Sequence, residues 1–224
     1  MGKRDDLASL ARQRKADRYK NFMPVGAFHN GAYDSGDYIS PWTRSAGNYD
    51  SPLMIVAQDW ISADKLAGPI NPLWIRMGQD PNLPTNKNLS RLLSEIFGVQ
   101  WGDLYATNLF VFVKPRGMSH PIEARDLLYC ADTYLLPQIR IVKPRMVVCL
   151  GKATLNAVRR AAGHAHIDLS QAQGREDAAH VDESAIYGVN HPGAWGTRNA
   201  GGYHNLERQW RSLEKIYRYL LGNN

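Results

Sequence analysis

The chain has 224 residues, 44% of them hydrophobic, which is enough for one domain with a substantial core. Its 27 Lys and Arg against 21 Asp and Glu leave a net charge of +6, a tilt toward polyanionic partners such as nucleic acid. Composition argues against two classes: Cys130 and Cys149 lack the clustered spacing of a zinc site or disulfide framework, and no apolar stretch approaches the roughly 18 residues of a membrane span.

The start, Met1 to Asp6, has no apolar signal core, so the expectation is a soluble, cytoplasmic protein with reduced thiols. Residues Asp5 to Tyr19 read as a polar helix with Leu7, Leu10 and Ala11 in a narrow apolar stripe. Arg12, Arg14, Lys15, Arg18 and Lys20 make it basic, either a solvated helix packed on the domain edge or a DNA-facing arm. Asn21 to Ser51 is rich in Gly, Tyr, Ser and Asp and is broken by Pro24 and Pro41, the pattern of an irregular wrapping segment. Residues 1–50 are thus read as an N-terminal helix plus a wrapping segment, and 51–224 as one globular unit.

The apolar run Leu53 to Ala57, ending in Gln58-Asp59-Trp60, begins that unit. A long, proline-rich connection from Ile61 to Thr85 follows, and connections of this length are usually functional or mobile. A helix is expected over Asn88–Phe97, stopped by Gly98, before a second run, Tyr105 to Phe110, that carries Thr107 and Asn108. Pro121 opens another helix that delivers the chain through Lys143-Pro144 to a third run, Arg145 to Gly151. Gly151 turns into a helix over Lys152–Ala162, so its backbone N–H groups suit a phosphate. Gly163 to Ser184 is polar and reads as loop. The fourth run, Ile186 to Val189, ends in Asn190-His191-Pro192, and a Gly-rich loop to Gly202 precedes a last helix with Leu206, Trp210, Leu213, Ile216, Tyr217 and Leu220 on its core face.

Four runs rich in Val, Ile and Leu, without polar alternation, suit strands buried on both faces of a parallel sheet. The predicted fold is therefore α/β, a three-layer α/β/α arrangement around a central, mainly parallel four-stranded sheet. Ligands of such sheets bind beyond the carboxyl ends of the strands, where Gln58, Asp59, Asn108, Gly151 and His191 would gather.

These residues resemble the uracil-DNA glycosylase superfamily over about residues 50 to 220. Ala57-Gln58-Asp59-Trp60-Ile61 corresponds to the Gly-Gln-Asp-Pro-Tyr motif of the classical members, and His191-Pro192-Gly193-Ala194-Trp195 is similar to their His-Pro-Ser-Pro-Leu. Tyr105 to Asn108, Lys143-Pro144-Arg145 and Val147 to Gly151 look like the iron-sulfur-containing microbial branch. That branch needs four cysteine ligands, which two cysteines cannot supply, so no cluster is expected and no other cofactor either. The Gly, Pro and Tyr of the first motif are missing, and that Tyr helps the classical members exclude thymine. A literal Gly78-Gln79-Asp80-Pro81 follows no apolar strand and reads as a turn.

The resemblance implies a metal-independent enzyme that hydrolyses the N-glycosidic bond of uracil in DNA and leaves an abasic site. Asp59 would stabilise the cationic sugar and orient water, while His191 would donate a hydrogen bond to the departing base. Asn108 would read the uracil edge, Trp74 would stack on the base, and Gln58 and Trp60 would shape the pocket. Trp195 stands where the family has a wedge Leu that fills the gap left by base flipping. Gly151, Lys152 and Arg198 would hold phosphates, with Lys114 and Arg116 as further candidates. Two other readings stay open: a glycosylase for other deaminated or mismatched bases, and a non-catalytic lesion-binding member of the fold. A metal hydrolase has little support, because His164 and His166 sit in a polar stretch with no His-x-x-x-His or Cys-x-x-Cys pair. Nothing in the sequence indicates an oligomer interface, and a monomer is expected.

Overall fold

A computed structural model describes residues 2–174 and 176–222. Helix α1 (Lys3–Ala16) is followed by short turns and then by strand β1 (Leu53–Asp59), helices α2 (Ala63–Leu66), α3 (Pro72–Met77) and α4 (Pro84–Leu92), and strand β2 (Tyr105–Phe110). Helices α5 (Ala124–Cys130) and α6 (Leu136–Val142) lead to β3 (Met146–Leu150) and α7 (Lys152–Ala161). The hairpin β4 (Ala179–Val181) and β5 (Ser184–Val189), then α8 (Ala194–Asn199) and α9 (Tyr203–Gly222), complete the chain.

The strands form one mixed sheet in the order β2-β1-β3-β5-β4. All neighbours run parallel except β4, which is antiparallel to β5. Among the described residues the sheet thus has five strands where the sequence suggested four. The missed strand lies in the stretch expected as loop, because three residues, Ala-His-Val, are too short to show a period. A short edge strand of this kind also limits the backbone offered to other chains.

Alternate residues of β1 enter two separate cores, which explains the uninterrupted apolar run. Met54 and Val56 pack with Leu7, Leu10 and Ala11 of α1 and with Leu127, Ile139, Leu155 and Val158. Leu53, Ile55 and Ala57 pack with Leu89 and Leu92 of α4 and Leu206, Trp210 and Leu213 of α9. Each fully buried aliphatic side chain of this kind contributes about 1.5–3 kcal/mol. The helix expected from Asn88 starts four residues earlier, at Pro84, and its last turn, Leu93–Phe97, widens to a π-helix before Gly98 ends it.

Two connections hold more structure than their composition suggested. Within Ile61 to Thr85, the Asn71 side chain accepts from the N–H groups of Leu73 and Trp74 and so caps α3, with Pro72 in the first turn. Gly78 ends that helix at φ 70°, and a Cβ there would stand 1.8 Å from the Pro41 carbonyl oxygen. Only glycine allows this approach. The Gly-rich loop after β5 likewise contains α8.

The N-terminal helix shares the first core with the sheet. Arg14, counted among the basic residues of a DNA-facing arm, is fully buried, and its Nη1 donates to Asp34 Oδ2 at 2.7 Å. Lys15 bonds the Gly36 carbonyl, and Lys20 pairs with Asp126. Tyr19 stacks on Tyr129 with ring centroids 3.7 Å apart. These contacts fasten the wrapping segment and set Ser40 and Trp42 over the sheet.

Candidate active site

After β1 the chain moves to β2 on one side, and later places β3 on the other side of β1. The order reverses at β1, and the carboxyl end of such a strand is where open α/β sheets form a crevice. A cavity of about 360 Å³ lies there. The end of β1 supplies Ala57, Asp59 and Trp60, the segment after β5 supplies His191, and the long connection supplies Lys65, Trp74, Gln79 and Asp80. Trp42 from the wrapping segment, Asn86 from α4 and Met118 from the loop after β2 complete much of the wall.

Asp59 does not stand alone. Lys114 Nζ lies 3.1 Å from its Oδ2, and the two side chains are only 4% (Lys114) and 9% (Asp59) exposed. The angle is poor for a hydrogen bond, so Oδ2 has a cation beside it but no well-directed donor. Lys114 Nζ donates instead to the Met118 carbonyl at 2.6 Å. Burial raises the Asp59 carboxyl above the ordinary carboxylate range, and the Lys114 charge opposes that rise. For His191, burial and the Lys114 charge act in the same direction and hold the imidazole below its ordinary range.

The segment that carries His191 is fixed by close backbone contacts. Gly193 N–H donates to His191 Nδ1 at 3.1 Å, while Asn88 Nδ2 donates to the Pro192 carbonyl at 2.8 Å. In the neutral ring an Nδ1 that accepts leaves the proton on Nε2, so His191 is a hydrogen-bond donor through Nε2. A Cβ on Gly193 would come within 2.6 Å of Thr85 Oγ1, and one on Gly196 within 2.0 Å of the His191 carbonyl oxygen. Both glycines are needed for α8 and α4 to close on this segment. Gly151, at φ 95°, donates its N–H to the Val189 carbonyl and backs onto the His191 Cβ.

Of the residues singled out in the sequence, the cavity wall brings together Asp59, Trp60, Trp74 and His191. Trp60 is held by its indole N–H, which donates to the Gly78 carbonyl at 2.9 Å; the Trp74 indole nitrogen is buried without a partner. Gln58, next to Asp59, is partly exposed and outside the wall. Asn108 pairs with Ala57 across the strands but is buried beneath the wrapping segment, where Ser40 Oγ donates to its Oδ1 and its Nδ2 has no partner. Lys152 is exposed and paired with Asp168 rather than free, and the Gly151 N–H is already used. Trp195 and Arg198 lie exposed on α8, outside the cavity. Lys114, named as a phosphate ligand, is instead buried against Asp59.

Four wall or near-wall residues had little or no sequence signal for this place: Lys114, Trp42, Gln79 and Asp80. The last two belong to the Gly78-Gln79-Asp80-Pro81 turn. It is a turn, and Gly78 presses it against Pro41 so that Gln79 and Asp80 reach the cavity. Gln79 is buried there with its Oε1 unpartnered. Among the described residues no group of three or more His, Cys, Asp or Glu side chains is arranged to hold a metal ion. Among the described residues no helix is long and apolar enough to cross a membrane. No protein-family model matches the chain, and no curated protein matches it.

Proposed function

We propose that this chain is a monofunctional DNA glycosylase that flips uracil out of DNA and hydrolyses its N-glycosidic bond. The observation that carries the reading is one cavity faced by a carboxylate from the end of β1 and an imidazole that donates through Nε2 from the end of β5. Breaking the bond places positive charge on the sugar and negative charge on the base, so the two groups match the two ends of the transition state. Asp59 faces the oxocarbenium-like sugar and orients water, as carboxylates do against the same kind of cation in sugar hydrolysis. His191 donates to the base oxygen on which negative charge gathers. At about 360 Å³ the cavity lies at the small end of the range for ligand sites, suited to a nucleotide fragment rather than a polymer.

In this reading Trp60 and Trp74 offer aromatic faces to the extruded base. Trp195, 71% exposed at the first turn of α8, fills the vacated stack, and Arg198 one turn later meets the phosphates. The finer architecture belongs to the same proposal: helices on both faces of the sheet as the outer layers of a three-layer α/β/α domain.

A second reading keeps the chemistry and widens the base range. It is favoured by Trp60 in place of the Pro-Tyr pair and by the Ser40 contact that ties up the Asn108 oxygen. End-labelled DNA with one uracil, incubated with EDTA and then cleaved by alkali, tests both. Strand scission with wild type, lost in Asp59→Asn and His191→Ala, supports uracil excision. Intact uracil DNA with scission at hypoxanthine or a mismatch supports the second reading, and no scission on any of these overturns both.

A further inference from the structure

A buried lysine needs a reason, because a charge removed from water is expensive unless it is paired. Lys114 is one of the buried charged residues of the described chain, and its ammonium sits between two groups of the candidate site. Asp59 Oδ2 is 3.1 Å away, and the carbonyl of Met118, itself a wall residue, accepts from Lys114 at 2.6 Å. The backbone is fixed as well as the side chain. Lys114 N–H donates to the Ile61 carbonyl and its own carbonyl accepts from Ala63 N–H at 2.8 Å, so the residue is stitched to the segment that leaves β1. These contacts leave the ammonium little freedom to leave the carboxylate.

We propose that Lys114 is a positioning residue that sorts charge between Asp59 and His191, holding the first as an anion and the second as a neutral donor. The inference rests on the glycosylase reading for its purpose, because that chemistry needs one anion and one uncharged N–H donor in the same cavity. Burial by itself disfavours the charged form of both groups, pushing Asp59 toward the neutral acid and His191 toward the neutral ring. A fixed cation next to the carboxylate separates the two, since it supplies the counter-charge for Asp59 and repels a positive charge on the ring. The Lys114 charge acts downward on both groups: it opposes the rise that burial imposes on Asp59 and adds to the fall that burial imposes on His191. The other charged groups in the wall are Lys65 from α2 and Asp80 after α3. Asp80 is an anion and supplies no counter-charge, and among the described residues the cation within 4.0 Å of Asp59 is Lys114, which is therefore the group placed to act.

The test follows the His191 imidazole by NMR across pH in wild type, Lys114→Met and Lys114→Arg, alongside excision of uracil from DNA. Lys114→Met is expected to move the His191 titration up toward the ordinary histidine range, and to lower excision at neutral pH about 100-fold. Lys114→Arg, which keeps the charge, is expected to hold the wild-type titration and recover much of the rate. Should Lys114→Met fail to fold, Asp59→Asn is compared with Asp59→Asn/Lys114→Met, which carries neither charge. The titration should then rise on loss of the lysine. An unchanged His191 titration in Lys114→Met, or across that pair, overturns the proposal. Wild type that excises no base, with the His191 shift present, refutes the glycosylase reading and leaves the charge arrangement standing.

Discussion

The backbone N–H of Gly193 donates to Nδ1 of His191 at 3.1 Å, and in the neutral ring this one contact leaves the proton on Nε2. Protonating the ring puts a hydrogen on Nδ1, opposite the Gly193 donor, and the contact is lost. The His191 pKa is depressed in the folded chain, so its contribution to stability is present above the unfolded value, about 6.5, and is lost as pH falls through the folded value. Excision should therefore hold through pH 6.5 and decline only below it. A pH–rate profile checks this, and a decline centred at or above 6.5 would sink the assignment of a neutral donor.

Asp59→Asn should cut single-turnover excision by about 10²–10³-fold while binding to uracil-containing DNA persists, as expected when charge stabilisation alone is removed. The same variant leaves Lys114 as an unpaired buried cation and should lose about 3 kcal/mol of stability in chemical denaturation. Adding Lys114→Met should restore most of that stability and none of the activity. Retained activity in Asp59→Asn would remove the carboxylate from the mechanism.

Lys114→Met alone should also show a pH-dependent stability. Burial has already raised Asp59, and without its cation the carboxylate rises further, so the variant is most compromised where Asp59 is ionised. Its deficit relative to wild type should shrink on acidification as the carboxyl takes up its proton. Denaturation midpoints at neutral and acidic pH give the comparison; a deficit that grows in acid would contradict the buried ion pair.

Trp195→Ala should leave stability within about 0.5 kcal/mol, because the ring is mostly in solvent. Excision from duplex DNA should fall about tenfold or more, with little change on single strands, where no stack has to be reopened. Equal losses on both substrates would mean that the ring does something other than wedge.

Gly78 and Gly98 form an internal control. Both have positive φ, 70° and 68°, but a Cβ meets the Pro41 carbonyl oxygen at 1.8 Å in the first and open space in the second. Gly98→Ala should cost about 1 kcal/mol from backbone strain alone. Gly78→Ala should cost several times as much and displace Gln79 and Asp80 from the cavity wall. Thermal denaturation distinguishes the two, and equal costs would refute the tight packing at Pro41.

Four strands of the sheet were legible because strands buried on both faces leave short, uninterrupted apolar runs bounded by turn residues; Met54 and Val56 on one side and Ile55 on the other make the point within three residues. Asp59 and His191 could be found because they follow such runs directly. Lys114, Gln79 and Trp42 could not, since each reaches the site by a tertiary contact: an ion pair 55 positions away, a turn pressed on Pro41, and a wrapping segment without a periodic pattern. Asn108 shows the converse. Expected at the carboxyl end of its strand, it lies within β2, two residues before Phe110 ends it, and the burial of its amide under Ser40 depends on a segment whose path no local pattern encodes.

The missing side chain at Gly196 lets α8 rest directly on the His191 carbonyl, so the helix that bears Trp195 and the segment that bears the imidazole share one anchorage. Only Pro192 and Gly193 separate His191 from the first residue of α8. In the glycosylase proposed above, seating Trp195 in the duplex and aligning His191 would be coupled through this shared anchorage.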